Sequence, residues 1–157
     1  MRRLAWLASA LGLLVSCGGD AAESSEPGLF FPTHPEEQTV LMAALYQGPL
    51  VVREGCVLLG RQGNYSVAIW PKGFTANRDD AGRLVVRDER GDAVAIEGET
   101  FEMGGGYVAE FRPESKVEPR DDQINRVEQS LGYPLPERCL DPEVYGVWSV
   151  GEINPLG

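Results

Sequence analysis

The chain has one histidine in 157 residues, and no apolar run long enough to cross a bilayer. His34 stands between Thr33 and Pro35 at the border of a polar stretch, where a solvated or helix-start role fits better than general-base catalysis. Nucleophilic catalysis needs a nucleophile with a base in reach, and Ser66, Ser115, Ser130 and Ser149 stand in no Gly-x-Ser-x-Gly setting. There is no Cys-x-x-Cys, and His/Cys ligands for zinc are missing. Basic residues are scarce: 14 Lys and Arg face 24 Asp and Glu, a net charge of −10. So acidic a chain repels phosphate backbones, whose neutralisation dominates nucleic-acid affinity, and no nucleic-acid partner is expected. It also lacks a polybasic grip on anionic lipid. No internal repeat or heptad pattern is visible.

What is present begins with a targeting pattern. Arg2 and Arg3 precede the apolar run Leu4–Val15, and residues 1–16 hold no acid. A spanning helix needs about 20 apolar residues, so a shorter run behind basic residues reads as a signal peptide. Its end, Leu14-Val15-Ser16-Cys17, resembles the lipobox of bacterial lipoproteins. The resemblance implies cleavage before Cys17, a diacylglycerol on the Cys17 thiol, often an acylated amine, and therefore the membrane as first partner. Two or more acyl chains anchor stably where one binds only marginally. Gly18, where an Asp would favour inner-membrane retention, implies a lipid-anchored place in the cell envelope. In a two-membrane cell that place is the outer membrane, facing the periplasm or the surface. Removing residues 1–16 takes away two arginines and brings the net charge to −12. The resemblance bears on the other cysteines too. With Cys17 acylated, Cys56 and Cys139 remain as the one possible pair, in a compartment where disulfides persist. They lie 83 residues apart, so a bond between them is worth about 4 kcal/mol in the chain-entropy model. The alternative is two free thiols, one of them a nucleophile.

Residues 17–33 read as a flexible tether of small, polar and Pro residues, with an r.m.s. reach of roughly 20–25 Å. Leu29, Phe30 and Phe31 interrupt it and are expected to dock on the domain. Residues 34–157 form one β-rich domain, long enough for a core. Pro35–Gln47 admits a helix, with Thr33-x-x-Glu36 as a capping box, or a strand in step with Leu50 and Val52. Leu50–Leu59 reads as one strand bulged at Gly55, Tyr65–Trp70 as the next, and residues 72–82 as a loop. Leu84–Arg87 and Ala93–Ile96 flank an Asp88-Glu89-Arg90-Gly91 turn. Thr100–Met103 and Tyr107–Phe111 flank the glycines at 104–106. Asp121 is placed to cap a helix with Ile124, Val127 and Leu131 on one stripe, stopped by Gly132, and Val144–Val150 is a last strand. Such spacing predicts a mainly β fold. The expected form is a small OB-like barrel or open sandwich of five to six strands, with one short C-terminal helix and a disulfide closing it.

Three further motifs appear in order: Gly48-Pro49-Leu50 through Gly55-Cys56, then Trp70-Pro71, then Gly104-Gly105-Gly106. With Cys139 and Trp148 behind them, they resemble small exported bacterial domains of unknown function. The resemblance covers roughly residues 48–150 and implies an OB-sized barrel and the disulfide. It implies no activity.

Candidate chemistry is sparse. Glu97, Glu99, Glu102 and Glu110 crowd the strands around the triple glycine, and a carboxylate pair is what glycosidic acid/base work uses. A solvated strand face is the plainer account. Asn77, Asp79 and Asp88 brush the calcium-loop template, but Ala81 stands where an oxygen ligand belongs. Trp70 is a candidate for a ligand face, with core packing as the commoner role. The leading expectation is a non-enzymatic envelope protein without cofactor, which binds another envelope protein or polymer. The alternative is a small enzyme or calcium-binding module built on the acidic cluster of residues 97–110.

Overall fold

The computed structural model describes residues 27–39, 42–111 and 118–153. Cys17, the expected site of lipid attachment, lies outside them. The fold is mainly β, as expected: a closed five-stranded barrel, a second three-stranded sheet and one α-helix.

The barrel is OB-like, formed by β1 (Ala44–Arg53), β2 (Cys56–Arg61), β3 (Asn64–Ile69), β7 (Thr100–Glu110) and β8 (Val144–Ile153), in the cyclic order β1-β2-β3-β8-β7. All neighbours are antiparallel except β3 and β8, which run parallel. Closure depends on two long strands that each serve two partners. Residues 44–49 of β1 pair with β7, and residues 50–53 pair with β2. Pro49, which has no N–H for a ladder, falls where the partner changes. β7 likewise hands over from β1 to β8 across Gly104–Gly106, with register shifts beside them. The triple glycine therefore does not divide two strands. It lets one strand bend at a barrel corner. Gly105 has φ +150°, and a Cβ there would fall well inside 3.0 Å of the Ser149 carbonyl and the Trp148 indole nitrogen.

Other expectations change in detail. Leu50–Leu59 is not one bulged strand but parts of two, because Glu54 and Gly55 both take positive φ (51° and 76°) and turn the chain back on itself. Such φ pairs suit two-residue hairpins. Residues 72–82 are not all loop: β4 (Thr75–Arg78) pairs with β5 (Leu84–Arg87), which pairs with β6 (Ala93–Ile96). Among the described residues between Thr33 and Ala44 none is helical, and regular strand begins at Ala44. Helix α1 (Arg120–Leu131) starts behind Pro119 with no side-chain cap, so Asp121 sits in its first turn and does not cap it. Gly132 does end it, in the left-handed conformation. The buried stripe is Gln123, Val127 and Leu131, and the amide of Gln123 replaces the apolar residue expected at Ile124. Gln123 takes the N–H of Glu110 (2.8 Å) and donates to its carbonyl (3.1 Å), acting as a strand partner at the end of β7.

Period-2 alternation sorts side chains into two cores. One draws on all five barrel strands and is the interior: Leu50, Val57, Leu59, Ala68, Trp70, Phe101, Met103, Trp148 and Val150. Ala76, Leu84, Val86, Val94 and Ala95 join it from the small sheet, which plugs one barrel end. The other lies outside the β2-β3-β8 wall. There Leu58, Val67, Ile69 and Val147 meet Val127 and Leu131 of α1, Leu135 and the Cys56–Cys139 disulfide. The disulfide joins β2 to the 3-10 turn at Glu137–Cys139, and both cysteines are fully buried.

The segment before the barrel docks as expected. Phe31 stacks on Trp70 with ring centroids 5.4 Å apart, and Phe30 pairs beside Cys56. Thr33 exchanges two hydrogen bonds with the Tyr133 hydroxyl, at 3.1 and 2.9 Å.

Candidate functional site

Of the acidic residues singled out in the sequence, Glu97 and Glu99 flank one turn after β6, while Glu102 and Glu110 stand elsewhere along β7. Glu97 accepts the Leu84 N–H (3.0 Å) and meets Arg78 at 3.2 Å, and Glu99 meets Arg83 at 2.9 Å. Glu102 accepts from the Gln47 amide on the outer face of the β1–β7 pair (2.7 Å). Glu110 is eight positions further along β7, beyond the bend at Gly104–Gly106.

Asp79 and Asp88 turn two hairpins by the same device. Asp79 accepts the N–H groups of Ala81 and Arg83, and Asp88 those of Arg90 and Asp92, each at 2.9 Å. Gly82 and Gly91 occupy the positive-φ corner of each turn. The hydrogen bond from the Arg83 N–H, with its guanidinium, holds the Asp79 carboxyl below its usual range. The two aspartates lie at opposite ends of β5, so they and Asn77 do not converge on one ion. Among the described residues no three His, Cys, Asp or Glu side chains converge on a metal position. Trp70 is not on a ligand face. It is fully buried in the barrel, stacked between Phe31 and Phe101.

The outer β2-β3 wall, where OB-like barrels often take oligomers, is covered by α1 and the disulfide-linked segment. What stays open includes a groove of about 420 Å³ between the small sheet and β8, lined by Phe74, Val94, Val150 and Ile153, and the barrel end opposite the small sheet. At that barrel end a cavity of about 300 Å³ is lined by Tyr46, Arg61, Asn64, Ser66 and Tyr107, with Gly48 and Gly60 in its wall. Along β3 the interior positions run Trp70, Ala68, Ser66, from aromatic plug to hydroxyl mouth. Ser66 donates to the Tyr107 hydroxyl at a long 3.3 Å, and Tyr46 donates to the Pro49 carbonyl at 3.0 Å. Burial pushes the Tyr46 phenol up to about 12, partly opposed by the Gly60 amide and Arg61. It is therefore a neutral donor and acceptor at any physiological pH. Gly48 belongs to this arrangement: a Cβ there would collide with the Tyr46 hydroxyl. Trp148 lies beneath both tyrosines, at 6.1 Å from Tyr46 and 5.0 Å from Tyr107 between ring centroids. Its indole N–H is buried without a hydrogen-bond partner, as is that of Trp70. Buried polar groups normally find partners.

No local motif marks this mouth, and His34, expected to be solvated or to start a helix, is only 8 % exposed. Its Nε2 lies 2.8 Å from Ser149 Oγ, and its backbone N–H donates to the Trp70 carbonyl (2.9 Å). Burial lowers its pKa below 6.5. A histidine more acidic when folded contributes stability fully above the unfolded value, and that contribution is lost as pH falls through the lowered one. The domain should therefore melt progressively lower as pH drops from 7 toward 5, and His34→Gln should flatten that slope. Melting curves of both forms across this range check it, and equal slopes would remove His34 from the account. The chain matches no family model, no curated protein and no solved structure.

Proposed function

We propose that the chain is a lipid-anchored protein of the bacterial cell envelope whose barrel serves as a non-enzymatic binding module. The cysteine accounting carries the reading. Cys56 and Cys139 are joined to each other, so the cysteine left over by that bond is Cys17, at the end of Leu14-Val15-Ser16. A disulfide also fits an oxidising, exported setting. The binding role is supported by the fold's division of labour: one barrel end plugged, the outer wall covered, the other end left as a mouth of hydroxyls and amides. Its partner in the envelope is a protein or polymer, reached from the membrane over the short span of residues 18–28.

The test is Cys17→Ser. In bacterial cells the natural chain should incorporate radiolabelled palmitate and sediment with membranes. The variant should take no label and leave the membrane fraction, or remain as an uncleaved precursor, while still forming the Cys56–Cys139 bond. Absence of palmitate from the natural chain would overturn the anchor.

A further inference from the structure

We infer that the barrel mouth is a saccharide subsite which takes one ring of an uncharged, N-acetylated glycan. This rests on the binding-module reading above and names its ligand class.

The chemistry of the lining decides the class. Three inward-facing positions from three strands, Tyr46, Ser66 and Tyr107, each bring a hydroxyl to a mouth that opens above the apolar barrel core. Hydroxyls gathered at a half-buried mouth can donate to and accept from a guest that carries hydroxyls of its own. The bonds they make are few: Ser66 to Tyr107 is long, and the Tyr107 proton has no acceptor among the described contacts. The Trp148 ring floors the mouth beneath both tyrosines, while its N–H is directed at Gly105 in the barrel wall. An apolar guest would seal these groups without partners. A polyanion would meet a single guanidinium, Arg61, on a chain of net charge −10. A neutral ring carrying hydroxyls answers the donors and acceptors and lays its C–H face on the Tyr107 ring. The Asn64 amide at the rim matches an acetamido group, which offers one donor and one acceptor in the same way. At about 300 Å³ the cavity is at the small end of ligand sites. One ring enters, and the rest of the glycan leaves across the Arg61–Asn64 turn.

The experiment is calorimetric titration of the purified full-length chain in detergent with tri-N-acetylchitotriose. Saturable binding is expected, and it should weaken about tenfold in Tyr107→Phe and again in Ser66→Ala, the loss for one hydrogen bond in a buried site. Both variants keep the packing, and an unchanged melting temperature verifies that. No saturable heat up to about 10 mM sugar, or equal affinity in Tyr107→Phe, overturns the proposal. So does displacement of the sugar by equimolar inorganic phosphate, which would mark an anion site. None of these results touches the anchor, which palmitate labelling decides separately.

Discussion

Cutting the Cys56–Cys139 bond, by alanine at both positions, should lower the stability of the domain by about 4 kcal/mol, the chain-entropy value for a loop this long. For a domain of this size that is a fall in melting temperature on the order of 15 °C. Loop entropy is only part of the reason. The bond lies inside the outer core and holds the 3-10 turn Glu137–Cys139 against β2. That turn closes the segment running from α1 into β8, the strand that completes the barrel through β3 and β7. Without the bond, α1 and residues 133–140 keep the Gln123 amide and three buried apolar anchors, Val127, Leu131 and Leu135, the apolar ones each worth about 1.5–3 kcal/mol. Melting the natural protein with and without reductant, beside the double alanine variant, measures the effect. A shift under about 1 kcal/mol would mean that the apolar contacts alone hold the wall.

Gly105→Ala should cost about 3 kcal/mol, more than an ordinary surface change. Two effects combine. At φ +150° a side chain is strained. The added methyl also falls against the Ser149 carbonyl and the Trp148 indole, well inside 3.0 Å. Neither neighbour yields easily: Ser149 belongs to the β7–β8 ladder, and Trp148 fills the barrel between Tyr46 and Tyr107. Overpacking of this kind costs about 1–3 kcal/mol before the backbone strain is added. Gly63→Ala is the control, since Gly63 also has positive φ but nothing within 4 Å of the new methyl. Chemical denaturation of the three proteins separates strain from collision. Equal losses at 63 and 105 would dismiss the collision with Trp148.

These two residues show what a sequence can and cannot reveal here. The pairing of Cys56 with Cys139 followed from counting once Cys17 was assigned to lipid. The β5–β6 hairpin was legible to the residue, because Asp88 and Gly91 announce their turn chemistry. The stop at Gly132 was legible for the same reason. The turn at Glu54-Gly55 was not, because glutamate is no signal for positive φ. β4 was hidden because Thr-Ala-Asn-Arg offers only Ala76 to the core. The mouth was beyond reach in a different way. Tyr46, Ser66 and Tyr107 come from three strands and meet only when β1 closes onto β7. His34 and Ser149 are 115 residues apart and meet only because the leading segment docks. Local chemistry was readable, and long-range closure was not.

The docking of that leading segment has a mechanical side. Phe30 pairs alongside Cys56: its N–H donates to the Gly55 carbonyl (2.6 Å), and its carbonyl accepts from Val57 (3.2 Å). Tension arriving through residues before Pro27 therefore enters the barrel along β2, beside the covalent cross-link. Load passes by shear into bonds that must break together, and then through the cross-link into the wall of α1. No strand is peeled from an edge, since the barrel has none. The load therefore falls first on the two Phe30 hydrogen bonds, and the cross-linked wall behind them is the part that resists it.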